Sequence, residues 1–303
     1  MDWAVIIFAA LQAATPLLLA GLGELTTEKA GVLNLGVEGM MIIGAVVGFI
    51  VTFHSGNFFL GTLAAAAAAA TAAAFFGVLT VYLKTNQVAT GLALTIFGLG
   101  FSAFIGLDYE GKTLSTLKPL TIPVLADIPY LGKLLFQHDV FFYFALAMLA
   151  ALYWFFAKTR SGLIVRAVGE NHHAAVALGY RVNLIRWAAV IFGGAMCGVG
   201  GAYLSLVYTP LWAQNMTAGR GWVVLALVVF AAWRPLRLAL GAFIFGFIGI
   251  WQLFSQANNI SVPAQFLSMT PYLATIIALV FISLYARQQS TPQCLTQPLP
   301  IRL

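Results

Sequence analysis

An all-α, polytopic membrane protein with about nine transmembrane segments (eight to ten) is the fold class this sequence predicts, and three observations carry it. Hydrophobic residues make up 61% of the 303 and charged residues 8%, whereas soluble domains carry about 25% charge. The apolar residues fall in runs close to the ~20 that a helix needs to cross a hydrocarbon core. The Lys and Arg residues sit between those runs and favour alternate connections. The net charge of +6 therefore reads as topology, and no nucleic-acid partner is expected.

Candidate segments are 3–23, 31–53, 58–83, 88–107, 140–157, 187–207, 221–233, 236–254 and 271–286. The first follows Asp2 with no Lys or Arg before it, so it lacks the basic start of a cleaved signal and reads as a retained helix. The second holds Gly44 and Gly48, the third an alanine run from Ala64 to Ala70, and the sixth Gly194 and Gly198. Such small-residue faces let helix backbones approach, and packing within the chain is the commoner use. Residues 107–139 carry Pro119, Pro123, Pro129 and mixed charge, too polar to span. The connection 158–186 carries Lys158, Arg160, Arg166, Arg181 and Arg186. Segment 221–233 is short: between Arg220 and Arg234 it has room for about 20 Å of helix. It is extended by 216–219, tilted, or a half-helix. Residues 1–286 form one transmembrane domain, and 287–303 read as a polar, disordered cytoplasmic tail.

Nine segments put the termini on opposite sides. With the N-terminus outside, Lys29, Lys84, Lys158, Arg160, Arg166, Arg181, Arg186, Arg234, Arg237, Arg287 and Arg302 face the cytoplasm. Lys112, Lys118, Lys133 and Arg220 face outward. Eleven against four selects this orientation, with 107–139 exterior and the C-terminus inside.

Little in the chain looks like catalysis. Gly106 to Thr113 spells the phosphate-loop pattern GxxxxGK[ST]. It follows a membrane segment rather than a strand, heads toward Pro119, and places Asp108 and Glu110 where phosphates would sit. The chain is not expected to hydrolyse ATP. Cys197 and Cys294 have no metal spacing, and the adjacent His172 and His173 point about 100° apart on a helix. No catalytic constellation, cofactor site or metal site is expected. Asn34 and Glu38, four residues apart, would share one helix face. Glu38 is either a functional intramembrane acid or close enough to the boundary to reach water or an Arg. Glu24 and Glu28 are expected at the inner boundary, solvated or paired with Lys29.

Within 158–186, Asn171 is suited to cap a short helix from His172 to Leu178, and Gly179 fits the left-handed residue that ends it. Two turns cannot hold themselves in water, so this helix must dock on something.

The stretch Arg166-Ala-Val-Gly169-Glu170-Asn171-His-His-Ala174-Ala175-Val-Ala-Leu-Gly179 resembles the cytoplasmic coupling loop of ABC importer permeases, in the branch handling ribose, nucleosides and branched-chain amino acids. Gly23-Glu24, Gly31 to Met40, Ala218 to Trp222 and Ile128 to Gly132 match further signatures of that family, and the likeness runs from about Pro16 to Ala286. Within the family, the chain resembles most the nucleoside permeases that work with basic-membrane-protein lipoproteins. It departs at His172, where the family usually has Pro, which implies weaker helix initiation.

The resemblance implies a permease subunit in the cell inner membrane, with three partners: a cytoplasmic ABC ATPase, a second permease making a heterodimer, and an extracytoplasmic substrate-binding lipoprotein. It implies ATPase coupling through Arg166, Gly169, Glu170, Asn171, Ala174, Ala175 and Gly179. Interrupted helices in the two halves of a transporter mark solute paths, which makes Asn34, Glu38, Arg220 and Trp222 candidate path residues. Trp222 is either a stacking face or an interfacial anchor. The local chemistry does not choose a nucleoside over a hexose. The resemblance does, ahead of simple sugars and branched-chain amino acids. An ion-coupled transporter would need more mid-segment acids than Glu38.

Overall fold

Inside a bilayer the backbone must satisfy its own hydrogen bonds, so apolar runs have to close as helices. They do so in the computed structural model, which describes residues 3–120, 136–257 and 292–297 together with Met269, Leu273, Ile276 and Val280. In chain order the helices are α1 Trp3–Lys29, α2 Val37–Ser55, α3 Phe58–Gly77, α4 Gln87–Gly106, α5 Val140–Lys158, α6 Arg160–Glu170, α7 His172–Ala177, α8 Val182–Tyr203, α9 Arg220–Phe230 and α10 Pro235–Ala257. α3 and α8 each continue through a π-helical turn, Val78–Tyr82 and Leu204–Tyr208. Polar residues at the ends of the apolar runs start the helices: Asn57, Asn86, Asp139, Thr159 and Asn171 each accept a backbone N–H of the helix they precede.

Among the described residues seven helices are long and apolar enough to cross a membrane: α1 to α5, α8 and α10. The expected nine are not reached, for two reasons. Segment 221–233 is the 11-residue helix α9, about 17 Å long. It is stopped by left-handed backbone at Ala232 and Trp233, φ 47° and 55°, just before Pro235. Segment 271–286 lies outside the described residues apart from Leu273, Ile276 and Val280.

Two boundaries also moved. α1 runs on to Lys29 and carries Glu24 and Glu28 inside, 0% and 1% exposed, rather than solvated or paired with Lys29. α2 begins at Val37, not at residue 31. Asn34 accepts the Gly36 N–H at 2.9 Å, a local bond that competes with helix. Asn34 and Glu38 therefore do not share a helix face.

α8 forms the centre, packed along α1, α2 and α3. Gly44 meets Gly198, and Gly194 meets Ala73, so the small-residue faces serve packing inside this chain. The phosphate-loop look-alike is a turn edge-paired with residues 210–212: Gly111 N–H bonds Trp212 at 3.0 Å and Leu114 N–H bonds Pro210 at 2.9 Å. Its Lys112 ammonium lies over the Tyr109 and Phe53 rings, at 4.8 and 5.2 Å. Ile128 to Gly132 lies outside the described residues. Of the expected disordered tail, residues 292–297 are described, and Cys294 there is buried.

Candidate functional site

Residues 31–36 enter the helix bundle as unwound chain. Leu33 N–H bonds the Gln87 side chain at 2.8 Å, at the start of α4, and Asn34 N–H bonds Glu24 Oε1 at 3.2 Å. Thr95 donates to the Leu35 carbonyl at 3.0 Å. Thr95 lies eight residues into α4, about 12 Å along its axis. The chain has thus travelled well inside before α2 begins. Its first turn meets the start of α9 at Glu38. Glu38 Oε1 accepts from the Thr217 hydroxyl at 2.5 Å and the Gly219 N–H at 2.9 Å, while Oε2 accepts the Gly221 N–H at 2.6 Å. The backbones are so close that a Cβ on Gly221 would stand 2.5 Å from the Glu38 Cα. Two helix N-termini, each carrying partial positive charge, therefore converge on one buried carboxylate. A short helix that meets a membrane-length helix beside unwound backbone is a geometry found in transporter pathways.

The far end of α9 is held in the same way: Trp233 Nε1 donates to Glu28 Oε2 at 2.6 Å. Left-handed backbone at a bulky residue is costly and persists only when its surroundings over-determine it. The Glu28 bond and the burial of Trp233 supply that constraint. The sequence reading put Glu28 at a solvated boundary and did not single out Trp233. Glu24 and Glu28, one turn apart, were the available signal that α1 continues, but the partner of Glu28 is 205 residues away.

Of the four candidate path residues, Glu38 bonds the backbone on either side of Arg220. Asn34 is fully buried, its amide 3.5 Å from Met40 Sδ. Glu38 is engaged by the three donors above. Arg220 turns back onto its own loop, donating to the Met216 and Thr217 carbonyls at 3.0 and 3.3 Å, with its guanidinium 5.7 Å from the Tyr208 ring centre. Trp222 is 40% exposed.

The second site is the connection between α5 and α8. Thr159 ends α5 and caps α6, accepting the Gly162 N–H at 3.0 Å. Asn171 ends α6 and caps α7, accepting the Ala174 N–H at 3.0 Å. α7 covers His172–Ala177, and Gly179 has φ +84° with open space around it, so the expected caps are in place. Val168, Ala175 and Val182 pack beneath as a separate small core. Arg166 donates to the Phe156 carbonyl at 3.2 Å. Glu170, His173, Ala174 and Leu178 remain exposed, Leu178 by 77%.

A hub under this loop went unread in the sequence. Arg186, counted there only as a loop cation, is buried. It donates to the Ala30 carbonyl at 3.1 Å and the Gln297 carbonyl at 3.1 Å, and lies 3.4 Å from His172 Nδ1. Cys294 N–H bonds the Gly169 carbonyl at 2.8 Å, while its thiol donates to the Glu170 carbonyl and accepts from His172 N–H. The base of α1, the loop, the start of α8 and residues 292–297 are one hydrogen-bonded unit. Desolvation, then the charges of Arg186 and His173, push the His172 imidazole below its ordinary range.

Comparison with known proteins agrees with this architecture. Residues 6–285 match the family described as branched-chain amino acid transport system / permease component. A Haloferax volcanii protein whose name assigns it to glucose ABC transport as a permease is 40% identical over 295 residues, covering 90% of each chain. A guanosine ABC transporter permease of Bacillus subtilis is 33% identical, covering 91% of each. A nucleoside ABC transporter permease of Lactococcus lactis is 31% identical, covering 88% of each. No solved structure matched the chain. Such permeases are transporters rather than enzymes, and they work with an ATPase and a substrate-binding protein. Helices long enough to cross a membrane, the short α9 meeting α2 among them and a near full-length match place this chain in the family of ABC transporter permease components.

Proposed function

We propose that this chain is a pore-forming subunit of an importer that carries nucleosides across the cell inner membrane, paired with a second, non-identical permease. Energy comes from a cytoplasmic ATPase that grips α7, and solute arrives from an extracytoplasmic lipoprotein. The observation that carries the transport reading is the meeting of α2 and α9 at Glu38, unwound backbone inside a bundle of membrane-length helices. Its acid is already satisfied by the protein, which suits a structural pin for a moving path rather than an ion-coupling group. The capped, outward-facing α7 supports docking of the ATPase. Arg166, Glu170, Asn171, Ala174 and Gly179 form the exposed coupling surface in this reading, with Gly169 and Ala175 buried behind it, while Arg220 and Trp222 remain the path residues not buried by the protein.

The nucleoside assignment is supported by the guanosine and nucleoside permeases at 33% and 31% identity. A sugar is the second reading, favoured by the Haloferax relative at 40%. Uptake of labelled adenosine or uridine should require this subunit and be outcompeted by other nucleosides. Block by excess glucose or ribose, with nucleosides inert, assigns the solute to sugars and rejects the proposal.

The N-terminus and residues 107–139 face outward in this reading, and 158–186 with the C-terminus face the cytoplasm. In intact cells, on a Cys-free background, an impermeant thiol reagent should label Thr116→Cys and spare Asn171→Cys. The reverse pattern inverts the topology.

A further inference from the structure

The last turn of α5 and the first turn of α10 enclose, with Arg166 of α6, a cleft of about 430 Å³ whose one contact described above is the Arg166 bond to the Phe156 carbonyl. Arg166, Arg234 and Arg237 line it with Tyr153, Phe156 and Leu236, and none of the described lining residues is acidic. A fourth cation stands behind the wall, since the Lys29 ammonium lies 4.7 Å over the Phe156 ring. Three guanidinium groups around one opening repel one another and offer forked donors shaped for a phosphate oxyanion. The α10 rim of the cleft is apolar. Leu236, Leu240 and Ile244 are 56%, 61% and 45% exposed, and their spacing puts them on one helix face. That stripe leads from the arginines along a helix long enough to cross the membrane.

We propose that this cleft binds the phosphate head group of an anionic phospholipid, with the acyl chains laid along the α10 stripe. Basic clefts between helix ends at the membrane boundary suit such head groups. The stripe favours lipid over two other occupants: a free phosphate would not need it, and an acidic face of the ATPase would not meet it.

The test uses the full transporter complex in detergent, offered phosphatidylglycerol and phosphatidylcholine of equal chain length and read by native mass spectrometry. Phosphatidylglycerol should be retained preferentially, and millimolar inorganic phosphate should not displace it. Arg234→Gln with Arg237→Gln should cut its retention about thirtyfold, each charge near the surface contributing a factor of about five. The paired Lys variants should recover most of it, and the melting temperature of each complex reports whether it is folded. If Arg234→Gln with Arg237→Gln fails to assemble, Arg237→Gln alone should still cut retention about fivefold. Equal retention of the two lipids, or no loss in folded Gln variants, overturns the proposal. Displacement by phosphate alone makes it a small-anion site, and loss of the ATPase subunit from the Gln variants makes it a protein-docking surface; either result also overturns it.

Discussion

Replacing Glu38 with Gln is nearly isosteric, yet it should loosen α9 selectively. The carboxylate accepts from Gly219 N–H through one oxygen and from Gly221 N–H through the other. An amide has one acceptor oxygen, so in either orientation its NH₂ faces one of those two backbone donors. Thr217 adapts, because its hydroxyl can donate or accept; the orphaned N–H cannot. A buried donor left without a partner costs about 1–3 kcal/mol. Removing the negative charge from two helix N-termini adds about 0.3–2 kcal/mol. The sum is about 1–5 kcal/mol, concentrated at the start of α9. Hydrogen exchange at residues 217–222 of the purified protein should quicken, and the melting temperature should fall, with little change in exchange across α3. Glu38→Ala leaves all three donors bare and should be worse. If Glu38→Gln exchanges and melts as wild type does, the carboxylate is not what holds α2 and α9 together.

Two other perturbations separate the loop between α5 and α8 from the bundle. Gly179→Val introduces a β-branched residue at φ +84° with no steric neighbour, so its penalty of about 1–2 kcal/mol is purely conformational. ATP hydrolysis should persist while transport falls, and Gly179→Asn should be nearly silent; normal transport by the Val variant removes the loop from coupling. The folded loop holds His172 neutral below its ordinary pKa, so the unfolded chain binds the extra proton. The stability this confers is complete above pH ~6.5 and lost as pH falls through that value toward the lowered folded pKa. Limited proteolysis between residues 160 and 181 should therefore accelerate below pH ~6.5 in wild type, and His172→Gln should abolish that acid dependence.

What could be read from sequence was local. α7 was legible because Asn171 and Gly179 mark its ends by their own chemistry, and α9 was recognisable as short because Arg220 and Arg234 bracket it. The misplaced starts and stops share a different cause. Residue 31 looked like the beginning of a helix because its neighbours are apolar, but the partners that keep 31–36 unwound are Gln87 and Thr95 on α4 and Glu24 on α1. α1 seemed to end at Gly23 because acids follow, and their acceptability depends on Trp233 and Asn34. Charge counting saw Arg186 as one more solvated cation, although it is the most connected side chain under the loop. The solute was not legible for a related reason: the polar groups that looked available to it, Asn34 and Glu38, are occupied by the protein itself.

The bond between His172 and Cys294 joins residues 122 positions apart, and that separation has a temporal meaning. During synthesis the loop leaves the ribosome long before the short segment that seals its underside. Until then the Gly169 and Glu170 carbonyls and one face of Arg186 stay open to water. A nascent chain halted after α10 would have the seven described membrane-length helices synthesised and the underside of this loop still open. The order of synthesis thereby delays closure of the loop's underside until those seven helices exist.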